Sequence, residues 1–134
     1  MAQTTAEVGT TGQRGAGGEH GAMDACIAAC TACNRVCLET ARACLEMGGK
    51  HAGVDHVTLL MDCAQICSTS VDFMERGSAY HVVTCSACAE LCRACSRSCR
   101  EMGGDLMERC ADACDRCASA CETMAKHARV DAQH

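Results

Sequence analysis

CTACNRVCLETARACLEMGG, residues 30–49, returns without gaps as CSACAELCRACSRSCREMGG, residues 85–104. Four cysteines and the closing Met-Gly-Gly coincide, and Thr40 stands where Cys95 does. Within each copy the cysteines recur at spacings of 3, 4 and 7. At about 100° per residue, those spacings keep side chains on one helical face. The Gly-Gly supplies the positive φ that ends helices. Each copy therefore reads as one helix with a cysteine stripe, and the chain as two related helical hairpins.

Working outward, the same periodicity predicts four helices over 23–47, 55–76, 79–102 and 105–128. Gly48, Gly77 and Gly103 are the expected stops, and Asp55, Ser78 and Asp105 the expected N-caps. The connections are short, so neighbouring helices should be antiparallel. Residues 1–22 hold half of the twelve glycines and show no periodicity. They read as a disordered tail, leaving 23–134 as one domain. The expected fold is all-α, an antiparallel four-helix bundle with a cysteine-lined core.

The stripes account for every cysteine. Cys26, Cys30, Cys33, Cys37 and Cys44 fall within an arc of about 60° on the first helix. Cys63 and Cys67 share a face of the second with His56, Leu59, Ser70 and Met74. Cys85, Cys88, Cys92, Cys95 and Cys99 span about 80° on the third, and Cys110, Cys114, Cys117 and Cys121 about 60° on the fourth. Charged residues such as Arg35, Glu39, Arg42, Glu90, Arg93 and Arg100 occupy other faces. Each helix thus turns sulfur inward and charge outward.

Composition agrees. Of 134 residues 16 are Cys, while Phe73 and Tyr80 are the two aromatics and Pro and Trp are absent. A hydrocarbon core normally uses larger side chains, so something else should fill part of the interior. Buried Cys can serve as a small hydrophobe, but Ala or Leu would pack as well without the oxidation hazard. The net charge of −5 argues against nucleic acid as a partner, and no stretch is long and apolar enough for a membrane span. Residues 1–22 show neither a secretory apolar region nor a twin-arginine pair. The expected location is therefore the cytosol, where thiols stay reduced and such a cysteine count asks for metal.

Chemistry then selects the metal. Cβ atoms at i and i+4 lie about 5–6 Å apart, too far for a disulfide's 3.5–4.5 Å. Two metal–sulfur bonds of about 2.3 Å span that gap, and soft thiolates favour Cu(I). One Cu⁺ per thiolate leaves a nearly neutral core, whereas Zn(II) bound by four thiolates would bury two negative charges per site. Zinc or cadmium binding stays as an alternative, as does a structural bundle whose thiols respond to oxidants. Two Cys-x₃-Cys-x₂-Cys runs, 26–33 and 110–117, match an iron–sulfur spacing that needs a loop on a larger barrel domain. No Cys stands beside a His as a privileged nucleophile, and no inward Glu-x-x-His marks a di-iron bundle. No enzyme is expected.

Cys26-x₃-Cys30, Cys33-x₃-Cys37, Cys63-x₃-Cys67, Cys88-x₃-Cys92, Cys95-x₃-Cys99, Cys110-x₃-Cys114 and Cys117-x₃-Cys121, set on four short-linked helices, carry a resemblance. Over about 23–128 the chain resembles the bacterial copper storage proteins, specifically their signal-less cytosolic branch. The resemblance implies a bundle filled with many Cu(I) ions between cysteine pairs, with bridging thiolates in clusters, and assembly into a homotetramer. It also implies copper detoxification and supply to cuproenzymes, with a copper chaperone or a low-molecular-weight thiol as donor or acceptor. Cys44 and Cys85 lie outside any Cys-x₃-Cys pair, and Thr40 and the cysteine-poor second helix depart from an unbroken stripe.

His and Met are the remaining soft or borderline ligands. The antiparallel arrangement puts Met23, Met74, His81, Met124 and His127 at one end. Met47, His51, His56, Met61, Met102 and Met107 gather at the other. They read either as weaker ligands at a mouth or as packing and solvated loop residues. His56 and Met74 share the sulfur-bearing face of the second helix, so these two join the sixteen cysteines as candidate ligands. His20 and His134 read as incidental.

Overall fold

The computed structural model describes residues 18–133, with side chains from 21 to 126. Its four helices are α1 (Gly18–Met47), α2 (Val54–Glu75), α3 (His81–Met102) and α4 (Asp105–Gln133), with no strand among the described residues. α1 packs on α2, α2 on α3, α3 on α4, and α4 closes the ring against α1. Each link is short enough to force the next helix back along the last. Sulfur contacts give the register. Cys26 meets Cys121 and Cys37 meets Cys110 across α1 and α4, while Cys63 meets Cys92 and Cys67 meets Cys88 across α2 and α3. Rising numbers on one helix meet falling numbers on the next, as an antiparallel bundle requires.

The expected helix stops hold. Gly48, Gly77 and Gly103 adopt φ of 72°, 71° and 79°, and the Gly48 and Gly103 amides donate to the carbonyls of Cys44 and Cys99. The starts differ from expectation. α1 begins at Gly18, inside the stretch read as tail, and residues 1–17 of that stretch lie outside the described residues. Asp55 is not the cap of α2. That place is taken by Gly53, and Asp55 sits in the first turn, where its charge still favours the helix dipole. Ser78 likewise precedes the start of α3. Its Oγ accepts from the Tyr80 amide in the turn, and Tyr80 holds the cap place. A short 3₁₀ turn, Gly49–Ala52, carries the chain from α1 to α2. α4 extends past 128 to Gln133.

Burial sorts the faces as periodicity predicted, with one shift. Leu60, not Leu59, is the fully buried leucine of α2, because a residue one turn before Cys63 and Ala64 lands on the centre of the buried arc. The outer seam between α3 and α4 is ionic. Arg100 reaches Asp112 at 2.9 Å, Asp115 at 3.0 Å and Glu108 at 3.5 Å, and Arg93 reaches Glu122 at 3.0 Å. These half-exposed pairs fix the register of the two helices more than they stabilise them.

Candidate metal centre

All sixteen cysteines are fully buried and none is in a disulfide. With Cys in place of larger side chains, the helices leave an axial channel occupied by sulfur. Its thiols form a ladder of groups, each within 4.8 Å internally: Cys26, Cys85 and Cys121; then Cys30, Cys88, Cys117 and Cys121; then Cys33, Cys67, Cys92 and Cys117; then Cys33, Cys37, Cys63 and Cys114; then Cys37, Cys95, Cys110 and Cys114. Successive groups share a member, so no rung is isolated from the next.

Along single helices, Cys26–Cys30, Cys33–Cys37 and Cys88–Cys92 place their sulfurs 4.0, 3.9 and 3.8 Å apart. Closer contacts run between helices. Cys63–Cys92 is 3.5 Å, Cys117–Cys30 3.5 Å, Cys26–Cys121 3.6 Å and Cys67–Cys117 3.7 Å. The spacing within a helix puts thiols on one face, but the neighbouring helix supplies the nearest sulfur. These separations far exceed a disulfide's roughly 2.0 Å. They fall a little short of the about 4.5 Å that two metal–sulfur bonds of about 2.3 Å span. A small rotamer adjustment of either thiol opens room for an ion.

At the two ends of the ladder the surroundings favour the neutral thiol. Burial, followed by charge on Cys110 and Cys95, pushes the Cys44 thiol up. The Cys121 thiol acting on Cys85 pulls its pKa down, yet Cys26 and burial outweigh it and leave Cys85 at about 12. Removing a proton here therefore needs a positive charge to replace it, which a soft monovalent cation provides.

Other buried polar groups mark the ends and gaps of the ladder. His56 is 4 % exposed, with Nδ1 2.7 Å from Ser98 Oγ and Nε2 buried without a partner. Burial holds its pKa down. Met74 is buried, and the Cys85 thiol donates to its Sδ at 4.0 Å. At the opposite end the Cys44 thiol donates to Met107 Sδ, also at 4.0 Å. The sequence leaves Met107 open between weak ligation and packing, because one Met among several near a helix end carries no stripe to decide it. His81 is left open in the same way, and the structure buries its Nε2 without a partner. Met124 is buried and Met23 half-buried, while Met47 and Met61 are exposed. The side chains of His20, His127 and His134 lie outside the described residues.

A family model described as copper storage protein matches residues 19–126. No curated protein matches the chain. Among solved structures, a protein from Nitrosospira multiformis is 46 % identical with a TM-score of 0.77, covering 81 % of this chain and 98 % of that one. The Cu(I)-bound copper storage protein BsCsp3 is 35 % identical with a TM-score of 0.74, covering 78 % of this chain and 98 % of its own. The apo form of copper storage protein 3 from Bacillus subtilis is 34 % identical with a TM-score of 0.69, covering 76 % and 97 %.

Proposed function

The chain belongs to the copper storage protein family and takes multiple Cu(I) ions into its cysteine core, and from that premise we propose how it does so. The ligands are the sixteen cysteines, with His56 and Met74 toward the ends of the channel. The continuous ladder of buried thiols carries this reading. Every group shares a sulfur with its neighbour, so ions can sit between adjacent thiols along the whole length.

Storage needs no bond-making step in a substrate. Each arriving Cu⁺ displaces about one thiol proton, and the proton leaves to solvent. The core stays near neutrality because one positive charge replaces another. That balance separates Cu(I) from Zn(II) or Cd(II), whose four-thiolate sites would each bury a double negative charge. The family is one of storage proteins, and nothing in this mechanism calls for catalysis.

The setting is part of the same proposal. A reducing compartment, the cytosol, keeps the thiols available, and a copper chaperone or a low-molecular-weight thiol delivers and collects the ion. Detoxification and supply to copper enzymes are two uses of one reservoir. The bundle assembles as a homotetramer, with the channels as separate stores. No helix among the described residues is long and apolar enough to cross a membrane.

Anaerobic titration of the reduced protein with Cu(I), followed by metal analysis, tests the reading. Saturation near one ion per cysteine is expected. Saturation at one or two ions would replace a reservoir with a discrete centre. Peroxide treatment provides the second arm: copper-loaded protein should keep its thiols, whereas a redox-responsive bundle would form disulfides.

A further inference from the structure

Cys67, Cys88 and Cys117 form an equilateral triangle of thiols. Their sulfurs lie 3.7 Å apart on each of its three sides. One comes from α2, one from α3 and one from α4, and all three side chains are fully buried. Other triads of the core are less even. Cys33, Cys63 and Cys92 stand 3.9, 3.5 and 3.9 Å apart, and Cys26, Cys30 and Cys121 4.0, 3.6 and 3.6 Å. A linear ion between two thiolates needs its sulfurs spread to about 4.5 Å. The triangle needs no such movement to take a three-coordinate one.

A triangle of 3.7 Å sides has its centre about 2.1 Å from each corner, so an atom bonded to all three sulfurs at about 2.3 Å sits about 0.9 Å out of their plane. The site is therefore shaped for a pyramidal atom that makes three bonds and carries a lone pair on its open side. Charge points the same way. Three thiolates balance one trivalent centre and leave a neutral product, whereas a divalent ion on three thiolates would bury one negative charge. Trivalent arsenic joins both properties, since it bonds sulfur readily, makes three pyramidal bonds and has the matching oxidation state.

We propose that the Cys67–Cys88–Cys117 triangle binds arsenic(III), taken up as arsenous acid, so that the core accepts a second cargo besides copper. Arsenous acid is uncharged near neutral pH and enters an apolar core without the cost of burying an ion. At each thiol an S–H bond and an As–O bond break while an As–S bond and an O–H bond form. Three cysteines thus turn As(OH)₃ into As(SCys)₃ and three waters, with no change of oxidation state and no charge left in the core. All three thiols also belong to the copper ladder, so the two cargoes exclude each other here. Arsenic uptake needs only the triangle and does not depend on the storage reading.

The test treats reduced full-chain protein anaerobically with sodium arsenite, removes the excess and measures arsenic per chain. Wild-type protein should retain arsenic, and X-ray absorption at the arsenic edge should show three sulfur neighbours and no oxygen. That measurement is independent of how any variant folds. Cys67→Ser, Cys88→Ser and Cys117→Ser should each weaken the tightest-held arsenic against a competing dithiol by roughly a hundredfold or more, the gain one further tethered donor brings. Cys44→Ser should match wild type, and wild-type protein saturated with Cu(I) beforehand should take up no arsenic. Wild-type protein that fills with copper but retains no arsenic overturns the proposal and leaves storage intact. An oxygen remaining on the bound arsenic overturns it too, as does retention at wild-type strength in all three triangle variants or in copper-saturated protein. Copper saturation at one or two ions would overturn the storage reading alone, because the arsenic measurements are made without copper.

Discussion

Cys33 Sγ stands 3.9 Å from Cys92 Sγ, across the diagonal of the bundle from α1 to α3. The same sulfur is 3.9 Å from Cys63 on α2 and 3.8 Å from Cys114 on α4. One thiol on α1 thus touches sulfur from each of the other three helices, and it belongs to two adjacent rungs. Cys44 belongs to none and touches a thioether. Removing the two should have unequal consequences. Cys33→Ser is expected to lower Cu(I) capacity by two ions or more, and Cys44→Ser by no more than one. Metal analysis of the saturated variants decides this. Equal losses would mean that each thiol holds its own ion and that shared rungs are not the binding unit.

Thr40 offers the reverse experiment. It takes the place that Cys95 holds in the repeated segment, is fully buried, and leaves its Oγ1 without a hydrogen-bond partner. An unsatisfied buried hydroxyl costs about 1–3 kcal/mol. Thr40→Cys replaces it with a group that tolerates burial and supplies a sulfur at the gap in the α1 stripe. Apo stability should rise by about 1 kcal/mol, and capacity should rise by one ion. Urea unfolding of the reduced apo protein and a Cu(I) titration check the two halves separately.

Much of this was legible beforehand, and the reasons are local. Helical spacing is a property of one segment, so sixteen cysteines at 3, 4 and 7 disclosed their inward faces without knowledge of any neighbour. Gly48, Gly77 and Gly103 marked the stops because positive φ is a single-residue requirement. What could not be read depended on pairs from different segments. Nothing in the spacing of Cys63 and Cys67 says that Cys63 lies nearest to Cys92, 29 residues away. The partners of Cys44 and Cys85 were hidden for the same reason, since Met107 and Met74 come from other helices. Asp55 misled because an acidic residue near a helix start serves equally well as a cap or in the first turn, and Gly53 already held the extended conformation of the cap.

Alkaline pH should weaken the apo bundle more than the loaded one. Folding raises the Cys85 thiol from an ordinary value of 9.0 to about 12. Between those limits the unfolded chain releases the proton and the folded chain keeps it, so the folded state binds more protons and stability falls as pH rises. The stabilisation is intact below about pH 9 and is lost progressively toward about pH 12. Cys44, raised by burial, acts in the same direction. Thermal melts of the reduced apo protein should show Tm dropping through that window. In Cu(I)-loaded protein the thiol protons have already left, so the drop should be much smaller. A loaded protein as alkali-sensitive as the apo form would show that these thiols are not ligands.

Leu60 separates hydrocarbon packing from metal crosslinking. It is the large fully buried aliphatic side chain on α2, one turn before Cys63 and packed within the cysteine core. In the apo protein Leu60→Ala removes several methyl and methylene contacts and leaves a cavity, at a cost of about 2–4 kcal/mol. The buried cluster it belongs to is mostly cysteine and alanine, too small to collapse into the space, which favours the upper part of that range. Once copper is bound, ions bridging sulfur from all four helices hold the native state by mass action, because the unfolded chain cannot reproduce the shared rungs. The variant should therefore melt well below wild type when apo and close to wild type when loaded, with capacity unchanged. Equal destabilisation in both states would mean that copper adds no tie between helices, and loss of capacity would mean that Leu60 positions Cys63 rather than simply filling space.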